Sequence, residues 1–199
     1  MYIIRHLVIS TCLLLGIVIQ VSQVAAQSGT AEHLLAGFHA LDINQESHSF
    51  GNARPKVLIF LGQECAISQR YIPTLNELST LAKAMEFDFY GVFSDSWATL
   101  EKAKQFQQDY EVNFPLILDS AEVIAHQLQP TAKPEAFVFN TKGELSYQGR
   151  IDDRFADLGK LRQTFSQHNL RDAITAVGNG QQPDIARTKT IGCFYGGWD

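Results

Sequence analysis

The chain reads as an α/β protein, a sheet covered by helices on both faces and ending in an antiparallel hairpin. Three observations predict this. Short apolar runs alternate with segments of helical spacing, in the order β-α-β-α-β-α-β-β-α. A turn signal, Thr141-Lys142-Gly143-Glu144, separates the last two strand-like runs. Finally, Cys65 stands where the first buried strand gives way to the first helix, and open α/β sheets gather their chemistry at the carboxyl ends of strands.

Gln27 to Ala53 is polar, with Leu34-Leu35, Phe38 and Leu41 as its main apolar cluster, and Phe38 to Asp42 is expected as an edge strand. Gly51-Asn52 and Arg54-Pro55 mark a turn. Val57 to Leu61 is an unbroken apolar run, short enough for a buried strand, and Gly62 ends it. From Ile67 the spacing changes, and Ile67, Tyr71, Leu75, Leu78 and Leu81 share one helical face. Pro73 falls inside that pattern, where a kink or a loosened turn is expected.

Phe87 to Phe93 is the second strand, rich in aromatics. Ser94-Asp95-Ser96 offers N-cap chemistry for a helix from Trp97 to about Tyr110. Phe114 to Asp119 is a third strand, and Asp119-Ser120 is suited to cap a helix over Ala121 to Leu128. Pro134 precedes the strand Ala136 to Asn140, and Leu145 to Ile151 runs back beside it. Asp152 to Gly159 is polar and expected as a loop. Leu170 to Val177 is the last helix, stopped by Gly178-Asn179-Gly180. The division expected is a leader over 1–26, one domain over 27–180 and a Gly-rich tail over 181–199.

The leader has the form of a secretory signal peptide. Arg5 and His6 give a basic start, Leu7 to Val21 is almost wholly apolar, and Val24-Ala25-Ala26 has the small residues a signal peptidase reads. The apolar core is short for a span of about 20 residues. Cleavage after Ala26 and export are therefore expected, with no lasting membrane insertion; a single anchoring helix is the alternative. Without the leader the chain has 173 residues, with 15 basic against 21 acidic side chains, a net charge of −6. An acidic chain with no basic run argues against nucleic acid and anionic membrane as partners. Cys12 leaves with the leader, so the exported chain keeps two cysteines, Cys65 and Cys193. Outside the cytoplasm two such thiols either pair or cycle.

Cys65 carries the chemistry. The first N–H groups of a helix are unpaired and the positive end of its dipole lies there, so thiolate is favoured over thiol. The bland alternative is a buried structural cysteine. Glu64, next in the chain, opposes thiolate or accepts a proton, or simply points to solvent. Ser68, one turn on, is within reach of the sulfur or is an ordinary helix serine. Arg150 offers compensating positive charge, or a surface salt bridge with Asp152 or Asp153.

The phrases Phe60-Leu61-Gly62-Gln63-Glu64-Cys65-Ala66-Ile67-Ser68 and Lys133-Pro134-Glu135-Ala136-Phe137-Val138-Phe139 resemble the redoxin branch of the thioredoxin superfamily, and Gly149 to Asp153 with Gly192-Cys193 resemble a redoxin-domain subgroup with a single active-site cysteine and a second near the C-terminus. That branch contains exported thiol–disulfide reductases and peroxiredoxins. The likeness spans roughly Phe38 to Val177 and implies a thioredoxin-like fold, a central mixed sheet with helices on both faces. It implies that Pro134 is cis and that its loop faces the thiol and meets the substrate chain. Lys133 in that loop, with Glu64 and Arg150, makes the substrate-facing set; Cys65, Cys193, Ser68 and Pro134 make the catalytic one.

Two departures qualify the resemblance. The usual pair of cysteines is Cys65-Ala66-Ile67-Ser68 here, and Ser68 cannot resolve a mixed disulfide. Peroxiredoxins carry proline and Thr or Ser seven and three positions before the cysteine, where this chain has Leu58 and Gly62, so efficient peroxide reduction is not implied. The expected activity is thiol–disulfide exchange with a protein or small-molecule substrate, without cofactor. Cys65 attacks, and Cys193 either resolves the mixed disulfide or holds Cys65 oxidised. Only the fold decides whether two residues 128 positions apart approach within the ~7 Å between Cα atoms that a bridge needs. Three other readings stay open. One is a static crosslink. A second is a copper-delivery protein using Cys193 with His126 or His168, although no histidine pair has ligand spacing. The third is a binding module docking through Phe194, Tyr195 and Trp198.

Overall fold

The computed structural model describes residues 38–51 and 53–195. The expected leader, its expected cleavage site and Trp198 lie outside them. The strands are β1 (His39–Leu41), β2 (Ser47–Ser49), β3 (Lys56–Phe60), β4 (Asp88–Phe93), β5 (Leu116–Leu118), β6 (Ala132–Lys133), β7 (Glu135–Phe139), β8 (Leu145–Gly149), β9 (Phe155–Asp157), β10 (Lys160–Leu161) and β11 (Cys193–Phe194). The helices are α1 (Ala66–Ala84), α2 (Leu100–Asp109), α3 (Val123–Leu128) and α4 (Asn169–Gly178).

The central sheet has the order β5-β4-β3-β7-β8. β3, β4 and β5 run parallel, while β7 is antiparallel to both β3 and β8, so the sheet is mixed as expected. All five residues of β3 are buried, which follows from its position in the middle with both faces covered. On one face Val57 and Ile59 pack with Tyr71 and Leu75 of α1, Phe106 of α2 and Leu170 and Ile174 of α4. On the other, Leu58 and Phe60 pack with Ile124 and Leu128 of α3, and with Phe50 from the chain just after β2. α1 runs unbroken through Pro73.

Several expectations need correction. Phe38 to Asp42 is not a strand of the main sheet. β1 and β2 form their own hairpin, because Asp42 Oδ1 accepts from the Asn44 and Glu46 N–H groups at 2.8 and 2.9 Å and reverses the chain. The hairpin touches the sheet through the Ile43 N–H, which donates to the Leu116 carbonyl at 2.9 Å. α2 begins at Leu100, capped by Thr99, whose hydroxyl accepts from the Lys102 N–H at 3.2 Å. Ser94-Asp95-Ser96 has the right chemistry for a cap, but Ser94 and Asp95 are engaged elsewhere. α3 starts at Val123, yet the Asp119 carboxylate still accepts from Ala125 N–H at 2.9 Å. Burial raises the Asp119 pKa, against the helix N–H groups that lower it. The expected loop Asp152 to Gly159 contains β9, paired with β10.

The tail does not hang free. It pairs beside the edge strand β8, with Gln148 N–H donating to the Ala186 carbonyl at 2.9 Å and Thr188 N–H to the Gln148 carbonyl at 3.1 Å. Gly149, at φ +149°, makes room for this: a Cβ there would lie 2.1 Å from Thr188 Oγ1. Thr188 also shares a hydrogen bond with the Tyr147 hydroxyl at 2.8 Å. An exposed strand edge is thereby covered, and the chain beyond Thr188 is aimed at the carboxyl end of β3.

Candidate active site

Cys65 is the N-cap residue of α1, with extended backbone (φ −87°, ψ 109°) and no side chain capping the helix from that position. Its N–H donates to the Gly62 carbonyl at 3.1 Å, and its own carbonyl accepts from Gln69 N–H at 3.0 Å. The turn from strand to helix is thus closed around the cysteine. The first turn of α1 has no acidic residue, so nothing there offsets the positive end of a helix 19 residues long.

The sulfur is bonded to Cys193 Sγ at 2.08 Å, with the Cα atoms 6.1 Å apart. Cys65 is 4% exposed and Cys193 is partly exposed. β11 carries Cys193 and pairs antiparallel with β6, placing Cys193 opposite Lys133 and Phe194 opposite Ala132. The Lys133–Pro134 peptide is cis, as the resemblance implied. Cys65 Sγ lies 3.3 Å from the Lys133 carbonyl oxygen. Within the disulfide no proton bridges them. In the reduced protein that carbonyl would favour the thiol and the helix end the thiolate.

Glu135 holds the cis-proline loop in place. Its buried carboxylate accepts from the Thr131 N–H and hydroxyl through Oε2, and from Gln148 Nε2 at 3.3 Å through Oε1. Lys133 and Asp95 form an ion pair whose side chains are both largely buried. The Lys133 ammonium also sits 4.2 Å from the centre of the Tyr195 ring. Asp95 Oδ2 is buried without a hydrogen-bond partner among the described residues.

One cleft of about 270 Å³ is lined by residues that include Cys65, Cys193, Lys133, Glu64, Asp95 and Trp97. Four of the expected site residues therefore meet there, and Pro134 adjoins it. Glu64 is exposed and pairs with Lys102 at 3.2 Å. Ser68 is placed differently from the expectation that it reaches the sulfur. It is fully buried, and its hydroxyl accepts from Gly62 N–H at 3.1 Å, tying the turn to the helix. Arg150 does not line the cleft; it donates to Asn169 Oδ1 at 2.8 Å and to Gln167 Oε1. Asp152, offered as its partner, is instead held by Arg154 at 2.7 Å and by the Tyr71 hydroxyl at 2.6 Å.

The metal alternative finds no support in the described residues. The one group of three or more candidate ligands among them is Asp42, Glu46 and His48, which contains no cysteine. His126 lies beside Glu122 at 4.0 Å, and the His168 ring packs edge-on against Phe165. Asp95, Glu135 and Ser94 were missed by sequence reasoning. Asp95 had one usable signal, its position just past the carboxyl end of β4.

A mixed sheet of this order, a cysteine at the strand-to-helix turn and a cis-proline loop facing it define a thioredoxin-like fold with a thiol site. The profile of the AhpC/TSA family matches residues 36–148, more than half of the chain, and the protein belongs to that family. No curated protein matches. Among solved structures, a hypothetical protein from Sinorhizobium meliloti is 21% identical with a TM-score of 0.69, covering 80% of this chain and 90% of its own. DsbF of MTB, in mixed oxidized and reduced forms, is 19% identical with a TM-score of 0.56, over 72% and 97%. StoA from Bacillus subtilis is 19% identical with a TM-score of 0.51, over 56% and 84%. A Cβ at position 62 would lie 2.8 Å from the Cys65 Cβ, so the turn as built suits the glycine that stands there.

Proposed function

We propose that the chain is an exported thiol–disulfide oxidoreductase in which Cys65 is the nucleophile and Cys193 the resolving partner. The observation that carries this reading is the Cys65–Cys193 disulfide at the mouth of α1, inside a cleft bounded by the cis-proline loop. The likeness to DsbF in mixed oxidized and reduced forms supports cycling, and the leader supports export.

The cycle balances as two-electron exchange. In the reduced protein the Cys65 thiolate attacks one sulfur of a substrate disulfide, forming a Cys65–substrate bond and expelling the other substrate sulfur as thiolate, which takes a proton. Cys193 then loses its proton, and its thiolate attacks Cys65 Sγ and expels the second substrate sulfur. The substrate gains two electrons and the protein ends as the disulfide. A thiol donor restores the dithiol. The substrate is a protein or small-molecule disulfide.

The test is turnover of a disulfide-bonded peptide with reduced glutathione as donor. The wild-type chain accelerates peptide reduction, and Cys65→Ser falls to the uncatalysed rate. Equal rates for the two, with the wild-type crosslink still intact at the end, would make the bridge a staple and refute the reading.

A further inference from the structure

The pairing of two cysteines 128 residues apart needs a device that brings the tail back to one place. We propose that Tyr195 is the positioning residue that seats Cys193 on Cys65, through a pocket formed by Ser94, Lys133 and Phe60. The inference rests on the oxidoreductase reading for its purpose, but its test does not.

Tyr195 is two residues beyond Cys193, so on an extended segment it projects to the same side as the cysteine. It is 6% exposed, while Phe194 between them is 82% exposed. The Tyr195 hydroxyl donates to Ser94 Oγ at 2.7 Å and approaches the Ser94 carbonyl at 3.2 Å. Ser94 is itself 2% exposed, at the carboxyl end of β4. The ring stands edge-on to Phe60, the last residue of β3, with centroids 6.2 Å apart, and carries the Lys133 ammonium on its face. The Tyr195 N–H reaches the Thr131 carbonyl at 3.3 Å. One side chain therefore touches the ends of two central strands and the cis-proline loop, the three pieces that surround the Cys65 sulfur. Burial lifts the phenol pKa to about 12, the Ser94 hydrogen bond working against that rise, so the hydroxyl stays a donor across the physiological range.

Such a seat raises the effective concentration of the Cys193 thiol at Cys65, and an intramolecular disulfide is favoured in proportion. In reduced protein a docked Tyr195 keeps Cys193 ready to displace a bound substrate sulfur. When Tyr195 leaves its pocket the tail no longer presents Cys193.

The experiment is the position of the Cys65–Cys193 equilibrium in buffers of oxidised and reduced dithiothreitol, read by alkylation and mass. Tyr195→Phe, which keeps the ring and loses the hydrogen bond, shifts the midpoint ratio toward dithiol by about threefold to tenfold, the range one buried hydrogen bond supports. Tyr195→Ala shifts it further than Tyr195→Phe, and Ser94→Ala shifts it as Tyr195→Phe does. Midpoints for Tyr195→Phe and Ser94→Ala within the error of wild type would overturn the seat, since the hydroxyl would then contribute nothing to the pairing. A shift in these variants alongside a wild-type chain that reduces no peptide would leave the seat standing and remove the oxidoreductase reading alone.

Discussion

Cys193→Ser protein mixed with an excess of disulfide-bonded peptide accumulates one peptide per chain on Cys65 and then stops. The first attack needs only the Cys65 thiolate. The second needs a thiol that can reach Cys65 Sγ, and Cys193 supplies it from β11 at a Cα separation of 6.1 Å. Ser68 cannot take over. It has no sulfur, and its hydroxyl is committed to the Gly62 N–H beneath the turn. Mass mapping of the adduct, and its release by added glutathione, reads the outcome. Turnover with a dithiol donor falls toward that of a single-thiol protein rescued from outside, while the first-step rate stays at or above wild type. Full turnover without an accumulating adduct would remove Cys193 from the cycle.

Gly192→Val has the second large effect, and it acts before any chemistry. A Cβ at position 192 would meet the Lys133 carbonyl oxygen at 2.2 Å, its carbon at 2.6 Å and the Lys133 nitrogen at 3.1 Å. All three are backbone atoms of the loop that Glu135 holds, so they cannot turn aside as the end of a side chain would. β11 then cannot pair with β6, and Cys193 stays away from Cys65. The ratio of crosslinked to open chain in a fixed glutathione buffer drops at least about tenfold, which corresponds to a penalty of about 1.4 kcal/mol for docking. The chain also loses the crosslink's contribution to stability. For a separation of 128 residues that is about 5 kcal/mol in the chain-entropy model. The central sheet and all four helices lie between Lys56 and Gly178, so the domain itself still folds. Free-thiol titration and a urea unfolding curve check both effects. Crosslinking as complete as wild type would show that the loop yields.

The parts of the fold that were legible in the sequence are those set by local pattern. Val57 to Leu61 was short enough to read as a buried strand, and the change of apolar spacing at Ile67 placed Cys65 at the start of α1. The turn at Thr141 to Glu144 and the stop at Gly178 to Gly180 were read from turn chemistry. The cis state of Pro134 came from resemblance, since the residues alone favour an ordinary trans proline starting a strand.

What stayed hidden was written in contacts across the chain. Ser94-Asp95-Ser96 looked like a helix cap because those side chains do cap helices. Here a tertiary hydrogen bond from Tyr195, 101 residues away, and the ion pair with Lys133 claim two of the three. The tail has no periodicity to read. Its path depends on Gly149 lacking a Cβ under Thr188 and on Gly192 lacking one over Lys133, and a glycine's reason for being small is seen only with its neighbours in place. Arg150 carried the right charge for the site, but Asn169 and Gln167 hold it elsewhere.

The proposed cycle requires that Cys65 be a reactive thiolate once the disulfide opens. The most direct measurement is the rate of iodoacetamide labelling of Cys65 across pH in reduced protein, against the same cysteine in the same chain unfolded in urea. In the reduced chain the sulfur is no longer bonded to Cys193 and the end of α1 favours its ionised form, so half-maximal labelling falls at a lower pH in the folded chain. Labelling that is half-maximal at the same or a higher pH than in urea would contradict a nucleophilic Cys65 and leave the bridge as a crosslink alone.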